Sequence, residues 1–190
     1  MAGVGNGFAK SINNEERALK KNNLRFTTVA ILGVLVLTAG SAFAGTATSN
    51  MAVSATVSPN CTIAAGALAF GAYDPIVANA AVPLPGTAII NVTCTNAAST
   101  TITLDQGLNP AGGSTNAAPL RQMSAGGSFL SYALFQDNAY SVTWGNTAGT
   151  GEAYTGTGVL GSVTVYGQVA AGQNVPSGTY QDTVVATITF

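Results

Sequence analysis

Hydrophobic and polar residues alternate with a period of two along most of the chain after residue 45. Such alternation is typical of half-buried β-strands. It predicts strands in "TATSNMAVSATVS", "GTAIINVTC", "TTITLD", "SFLSYALFQD", "YSVTWGN", "GSVTVYGQVA" and "TYQDTVVATITF". The segments between them are rich in Gly, Asn and Pro, which favour turns. About seven to nine short strands with such turns predict an all-β protein, a β-sandwich.

The first and last of these strands have the same pattern. In residues 46–58 one side of the strand carries Ala47, Met51, Val53, Ala55 and Val57. In residues 179–190 one side carries Tyr180, Val184, Ala186, Ile188 and Phe190, and the chain ends inside the pattern. We therefore expect an uncovered strand edge at this end, which soluble proteins usually protect. The pattern alone allows the first segment to be donated to another chain or to be an ordinary first strand.

The first 44 residues have the features of an export signal. Five basic residues precede the apolar stretch "FTTVAILGVLVLT" at 26–38, and "AFA" at 42–44 is a small-x-small cleavage site. We expect cleavage between Ala44 and Gly45, export through the periplasm to the cell surface, and no membrane span in the mature chain. The alternative is an uncleaved anchor, because residues 26–44 carry no charge and approach the roughly 20 residues of a membrane span.

Removal of this segment changes the charge of the protein. Residues 45–190 contain one base, Arg121, and five acids, which gives a net charge of −4, and they contain no Lys or His. Nucleic-acid binding requires several cations that neutralise phosphates, and a polybasic membrane patch requires them as well. We therefore expect neither nucleic acid nor a membrane surface as a partner.

The same inventory argues against catalysis. Without His and Lys, the usual activated nucleophiles and Schiff bases are not available, and the acids lie near predicted turns, where Asp mostly makes local hydrogen bonds. "GTGVLG" at 156–161 has the spacing of a dinucleotide-binding motif, but it runs into an alternating strand instead of a helix. We expect no enzyme activity, no cofactor and no metal site.

The two cysteines, Cys61 and Cys94, fit an exported protein. In an oxidising compartment an even, small cysteine count predicts a disulfide; a buried reduced pair is the alternative. Closing a loop of this length stabilises a fold by about 3 to 4 kcal/mol in the chain-entropy model.

Five aromatic residues follow one another closely in the sequence, and a glycine-rich stretch precedes them. We expect most of the aromatic side chains to lie in the sandwich core, although an exposed cluster would suggest a carbohydrate platform. The cluster comprises Phe129, Tyr132, Phe135, Tyr140 and Trp144. Residues 107–127, poor in large apolar side chains, predict a long surface loop or a pair of irregular strands.

Four segments together resemble the spore coat U domain family, which includes the pilins of archaic, Csu-type chaperone-usher pili. They are "CTIAAGALAFGAYDP" at 61–75, "VTC" at 92–94, "YALFQDNAYSVTWGN" at 132–146 and "VPSGTYQDTVVATITF" at 175–190. The resemblance implies an incomplete immunoglobulin-like sandwich at 59–190 that lacks its last strand. It also implies that residues 45–58 are a donor strand, with the C-terminal side chains in the acceptor groove.

The resemblance implies partners as well. A periplasmic chaperone would lend a strand, and an outer-membrane usher would then assemble subunits head to tail. The protein would be a pilus subunit that supports adhesion and biofilm formation. The alternatives are a spore or cell-envelope coat protein and a stand-alone exported carbohydrate-binding module.

Overall fold

The computed structural model describes residues 44–190. The basic and apolar parts of the predicted export signal lie outside this range. The chain divides between Ala52 and Val53, and the two sides are described separately. Residues 44–52 form no regular secondary structure and every one of them is exposed; the same holds for residues 53–60. Among the described residues there is no helix that could cross a membrane.

Eight strands follow, and all their pairings are antiparallel. They are β1 (Cys61–Ala65), β2 (Leu84–Cys94), β3 (Ser99–Leu104), β4 (Arg121–Ala125), β5 (Ser128–Phe135), β6 (Glu152–Thr155), β7 (Leu160–Val169) and β8 (Ala186–Thr189). A five-stranded sheet has the order β1-β2-β7-β5-β4, and a three-stranded sheet has the order β6-β3-β8. The all-β prediction is confirmed, and the fold is an immunoglobulin-like β-sandwich.

The core lies between the two sheets, because alternate side chains of each strand face inward. β2 contributes Ile90, Val92 and Cys94, all at most 2% exposed. The rest of the core comes from β3, β5 and β7, with Trp144 fully buried among them. The indole Nε1 of Trp144 donates a hydrogen bond to the carbonyl of Ile102, at 2.8 Å, so its one polar atom is satisfied.

Of two other predicted strands, one does not form and the other forms only in part, for the same physical reason. Residues 140–146 form no strand: the segment leaves the five-stranded sheet through one bridge, Phe135 to Thr143, and reaches the other sheet where Gly145 accepts from Leu104. In the C-terminal run only β8 is paired. Gln181 forms a single bridge to Ser124 of the five-stranded sheet before the chain crosses over. A chain that changes sheets cannot keep one pairing partner.

Two other predictions need correction. β6 lies in a segment that the pattern assigned to turns, whereas the stretch 107–127, predicted as a long surface loop or a pair of irregular strands, contains the edge strand β4 and a bridge from Pro110 to Arg121. Of the aromatic cluster, Trp144 and Tyr132 are buried, whereas Phe129 lies on the outer face of β5 and is 46% exposed. Phe135 and Tyr140 pack edge to face on that side, with ring centroids 5.5 Å apart. The reason is that β5 alternates, so odd-numbered positions point outward.

Arg121 is a core residue, only 1% exposed. Its Nε donates to the carbonyl of Asp105 at 2.7 Å, and its Nη2 donates to the carbonyls of Leu104 and Trp144, each at 2.8 Å. Burial lowers the pKa of the guanidinium to about 10, against the attraction of the nearby carboxylates of Asp105 and Asp182. The side chain therefore keeps its charge at neutral pH and ties β4 to the end of β3.

We expect the folded protein without its first 44 residues to resist trypsin. Trypsin cleaves after Lys or Arg, and Arg121 is the sole base after Arg25. Native incubation should leave the mass of residues 45–190 unchanged, whereas heat unfolding should release two fragments, 45–121 and 122–190. A Val159→Arg variant, with its cleavage site in an exposed turn, is the positive control. Rapid native cleavage at Arg121 would show that β4 is not part of the stable fold.

Candidate functional site

An open groove runs beside the free edges of the two sheets, between the chain that continues from β1 and the segment that leads into β8. Among the described residues, β1 pairs with β2 alone and β8 pairs with β3 alone. The two edge strands run in opposite directions: β1 starts beside the end of β2, whereas β8 ends beside the first half of β3. Backbone N–H and C=O groups on facing strand edges lack strand partners, which makes the groove a template for an added strand.

The groove has two parts that share lining side chains. The inner part has a volume of about 650 Å³ and lies between residues 65–70 and 180–186. The outer part, about 810 Å³, opens between residues 68–76 and 174–181. Both parts are lined by Leu68, Phe70, Met123, Tyr180 and Gln181. Together they form a channel along one side of the sandwich.

The floor of the inner groove is the hydrophobic core. Four strands supply it with Ile90, Leu104, Leu134 and Val165, and these side chains are between 1% and 5% exposed. Tyr132 lies beside them, with its ring edge to face against Phe70 at 5.9 Å. A strand placed in the groove would therefore pack directly on the core between the two sheets.

The last residues of the chain form one wall of this groove. From residue 180 to 188 the even-numbered side chains are half-buried and the odd-numbered ones are exposed. Of the predicted acceptor residues, Tyr180, Val184 and Ala186 line the groove. Ile188 packs against the core beyond the groove. Phe190 is 51% exposed at the end of the strand.

Asp182 holds the middle of this wall in place. Its Oδ2 accepts a hydrogen bond from the Tyr132 hydroxyl at 2.7 Å, and its Oδ1 accepts from the Leu108 amide at 2.9 Å and the Asn109 side chain at 3.2 Å. Burial, together with the bond to Asp182, raises the pKa of Tyr132, so the phenol remains a donor. The carboxylate thus anchors a segment that has little strand pairing.

Asp105 provides a second anchor at the end of β3. Its Oδ1 accepts from the amides of Gly107 and Val185, each at 2.9 Å, and the Asp105 amide donates to the carbonyl of Val185. Gly107 has φ +76°, and a Cβ there would overlap the carboxylate of Asp182. A side chain at position 107 would therefore disturb both anchors of the C-terminal wall.

The opposite wall is the chain that continues from β1. The Gly66 amide still donates to the carbonyl of Ile89, at 2.8 Å, and then strand pairing stops. Leu68 and Phe70 turn inward over Gly86 and Gly167, where an added Cβ would come within 2.8 Å of these side chains. These wall residues were missed in the sequence, although the alternation in "GALAFG" and the glycines opposite it were the available signal.

The segment at residues 46–58, called the arm below, has the pattern of a strand but is not paired with any strand. Its apolar side chains point to solvent: Met51 is 85% exposed, Val53 84% and Val57 80%. Ala47 and Ala55 are exposed as well. A run of exposed aliphatic residues at alternate positions is unusual on a soluble protein and marks a binding segment.

The root of the arm is fixed to the end of β2. The Asn60 amide donates to Thr95 Oγ1 at 3.0 Å, and the Thr95 amide donates to the carbonyl of Asn60 at 2.9 Å. The predicted disulfide between Cys61 and Cys94 is present immediately beside this pair. The arm therefore leaves the domain from a covalently anchored point.

The two ends of the sandwich differ in what they carry. The end called the arm pole holds the arm root, the end of β8 and the turn 156–160 that leads into β7. The end called the mouth pole holds the start of β2, the end of β7 and the turn 74–83. The outer part of the groove opens at the mouth pole, beside Ile76 and Val175. Arm root and groove mouth are thus at opposite ends.

Two of the remaining acids, Asp74 and Asp137, stabilise turns. Among residues 44–190 no group of three or more His, Cys, Asp or Glu side chains is arranged to hold a metal ion. Asp74 Oδ1 accepts from the amides of Ile76 and Val77, which lowers the pKa of Asp74. Hydrogen bonds from Val142 and Ser141 lower the pKa of Asp137 in the same way.

Comparison with known proteins gives a relative, a solved structure and a family. The chain is 49% identical over 178 residues to Protein U of Myxococcus xanthus, with 89% of this chain and 99% of the relative covered. The structure is similar to a chain of the CsuC–CsuE chaperone–tip adhesion subunit pre-assembly complex from the archaic chaperone-usher Csu pili of Acinetobacter baumannii. That match has a TM-score of 0.50 and 23% identity, and it covers 71% of this chain.

The match covers 40% of the solved chain, so this protein spans less than half the length of that chain. At this identity the likeness concerns the fold, and it supports the immunoglobulin-like sandwich described above. A family model, the Spore Coat Protein U domain, matches residues 47–187, which include most of the arm, both groove walls and the disulfide. The chain therefore belongs to the Spore Coat Protein U domain family.

Proposed function

We propose that this protein is a structural subunit of a chaperone-usher pilus and polymerises by donor-strand complementation. In this proposal the arm of one subunit fills the groove of the next. The observation that carries it is that one chain has both an open groove between two free strand edges and an exposed, alternating arm. Strand addition gains affinity from main-chain hydrogen bonds and specificity from alternate side chains in pockets.

The chemistry of the arm suits the groove. Residues 46–58 contain no charged side chain, and the inner groove is lined mainly by aliphatic and aromatic residues. The one carboxylate on the groove wall, Asp182, is already hydrogen-bonded within its own subunit. An inserted arm would therefore bury Met51, Val53, Ala55 and Val57 without leaving a charge unpaired.

The positions of the two poles determine the direction of insertion. An arm that runs antiparallel to β8 enters with its own subunit at the mouth pole of the acceptor. Each subunit then presents its arm pole to the next mouth pole, which is a heterologous contact that builds an open fibre. In the opposite direction two arm poles would meet, and the pair would close as a dimer. Only the antiparallel direction extends indefinitely.

The proposal includes the route by which the subunit reaches the fibre. Cleavage between Ala44 and Gly45 would leave the arm at the new N-terminus. Until assembly, the open groove would need cover from a periplasmic chaperone that lends a strand, and an outer-membrane usher would exchange that strand for the arm. The solved complex of a chaperone with a pilus subunit of similar fold supports the chaperone step. The resulting pili would support adhesion and biofilm formation.

The name of the family favours a second candidate function, a spore or cell-envelope coat protein. The arm and groove would then link subunits on a surface layer and not in a free fibre. Electron microscopy of native cells, with the protein labelled by an antibody, distinguishes the two functions. A pilus subunit would be labelled along projecting filaments, whereas a coat protein would be labelled in the outer layer of the cell or spore, without filaments. A carbohydrate-binding module would have to use the three outward aromatic side chains, Phe129, Phe135 and Tyr140, because Trp144 and Tyr132 are buried.

We expect Val53→Asp to abolish polymerisation and Ser54→Asp to leave it intact. Adjacent strand residues face opposite sides, so the first change places a carboxylate in the apolar groove and the second faces solvent. Burying an unpaired charge costs several kcal/mol, so polymer yield should fall by about 100-fold or more. Unheated denaturing gels measure the ladder of polymers. Equal thermal stability of both monomers is the control for folding.

A matching pair of changes tests the groove. Val184 lines the groove, whereas Val185 is 54% exposed on the other side of the same segment. We expect Val184→Asp to remove the ability to accept an arm, and Val185→Asp to preserve it. The Val184→Asp subunit keeps its own arm, and the Val53→Asp subunit keeps its own groove.

Each variant alone should therefore remain monomeric, and a mixture of the two should form dimers that cannot extend. Size-exclusion chromatography with light scattering measures these masses. Ladders from either variant alone, or a mixture that stays monomeric although both variants are folded, would contradict the pairing of arm and groove.

A further inference from the structure

We propose that successive subunits also pack pole against pole, through two apolar patches that flank the donor strand. The mouth patch consists of Ile76, Val77 and Val82, and the arm-pole patch consists of Val159 and Leu160. The partner is a second copy of this chain. This inference rests on the proposed donor-strand polymer, and it adds a direct contact between the folded domains.

The five side chains of these patches are between 61% and 78% exposed. The turn at 156–161 contains no Asp, Glu, Lys or Arg, and the turn at 74–83 contains one charged residue, Asp74, whose carboxylate accepts hydrogen bonds from the amides of Ile76 and Val77. Clustered, uncharged aliphatic side chains on a soluble domain indicate a surface for another apolar surface. Both patches have this composition, so they are complementary to each other.

The mouth patch is presented by a rigid turn. Asn79 is buried at its centre, with Oδ1 accepting from the Asp74 amide and Nδ2 donating to the carbonyl of Val82, each at 3.0 Å. The Gly172 amide, just beyond β7, donates to the Asn79 carbonyl at 2.8 Å. The aliphatic side chains are therefore held outward by a turn whose buried polar groups are satisfied.

The arm-pole patch lies beside the root of the arm. The Gly158 amide donates to the Cys94 carbonyl at 3.0 Å, which fixes the turn to the disulfide. Leu160 pairs with Thr93 of β2, and Thr93 pairs with Thr62 of β1. Val159 and Leu160 are thus two strands away from the point where the arm leaves the domain.

The linker between arm and domain brings the two patches together. Three residues, 58–60, separate Val57 from Cys61, and a fully extended chain advances at most about 3.6 Å per residue. The domain of the donor therefore begins within about 14 Å of the last groove-filling side chain. Pro59 restricts the linker, and Asn60 is hydrogen-bonded to Thr95. Because Ile76 lines the groove mouth, the mouth patch must face the arm pole of the donor.

Cysteine cross-linking tests this contact. Two double variants place one cysteine on each patch, Ile76→Cys with Val159→Cys, and Val77→Cys with Leu160→Cys. The native cysteines are already paired. The control is Ile76→Cys with Thr164→Cys, in which the second position lies in the middle of β7 and not at a pole. Each protein is polymerised, oxidised mildly and analysed twice on non-reducing denaturing gels.

The unheated gel measures donor-strand polymers, and the heated gel measures covalent links between neighbours. We expect all three proteins to form ladders before heating. After heating, at least one of the two patch variants should retain about tenfold more covalent dimers and larger oligomers than the control. The reason is that a disulfide forms only where the two Cα atoms lie within about 7 Å. Ladders before heating with no excess of covalent species in either patch pair would overturn the pole contact and leave the donor-strand proposal intact. Absence of ladders in the folded control would overturn both.

Discussion

The constraint on which this structure depends is that every buried backbone edge of a sandwich needs a partner, and here two facing edges have none. β1 and β8 each pair on one side only, within the part of the chain that the structure describes. The groove between the adjoining segments, residues 65–70 and 180–186, exposes both main-chain hydrogen-bonding groups and the apolar floor. A separate strand would satisfy both at once, which is why the arm and the groove have to be explained together.

A domain with an open core must keep its walls in position by other means. The disulfide fixes the start of the first wall to β2. Arg121 joins β4 to the carbonyls of Leu104 and Trp144 beneath the groove, and Asp182 and Asp105 hold the second wall against the loop at 105–109. These anchors are hydrogen bonds and a covalent bond, not strand pairs, so the edges of both walls stay free for an incoming strand. The same anchors therefore keep the groove rigid and leave it open.

Much of this could be predicted from the sequence because it depends on local pattern. The period-two alternation correctly predicted β2, β3, β5 and β7. The arm and the C-terminal wall were identified as unusual because their alternation is long. The role of Arg121 could not be predicted in this way, since its partners are backbone carbonyls from distant segments that carry no sequence signal. Gly86 and Gly167 are visible in the sequence, but their pairing with Phe70 and Leu68, for which they make room, is shown only by the packed structure. The prediction of a strand at 140–146 was wrong. Alternation indicates that one side of a segment is buried, whereas strand pairing requires that the segment stays in one sheet.

The central claim is that the arm of one subunit becomes a hydrogen-bonded strand in the groove of the next, and backbone hydrogen exchange measures this directly. Amide exchange would be compared between monomeric subunits and polymers, peptide by peptide, by mass spectrometry. The account predicts that amides of residues 47–57, 67–70 and 182–184 become strongly protected on polymerisation, while those of β2, already paired on both sides, change little. Polymers in which the arm and both walls exchange as fast as in the monomer would contradict it.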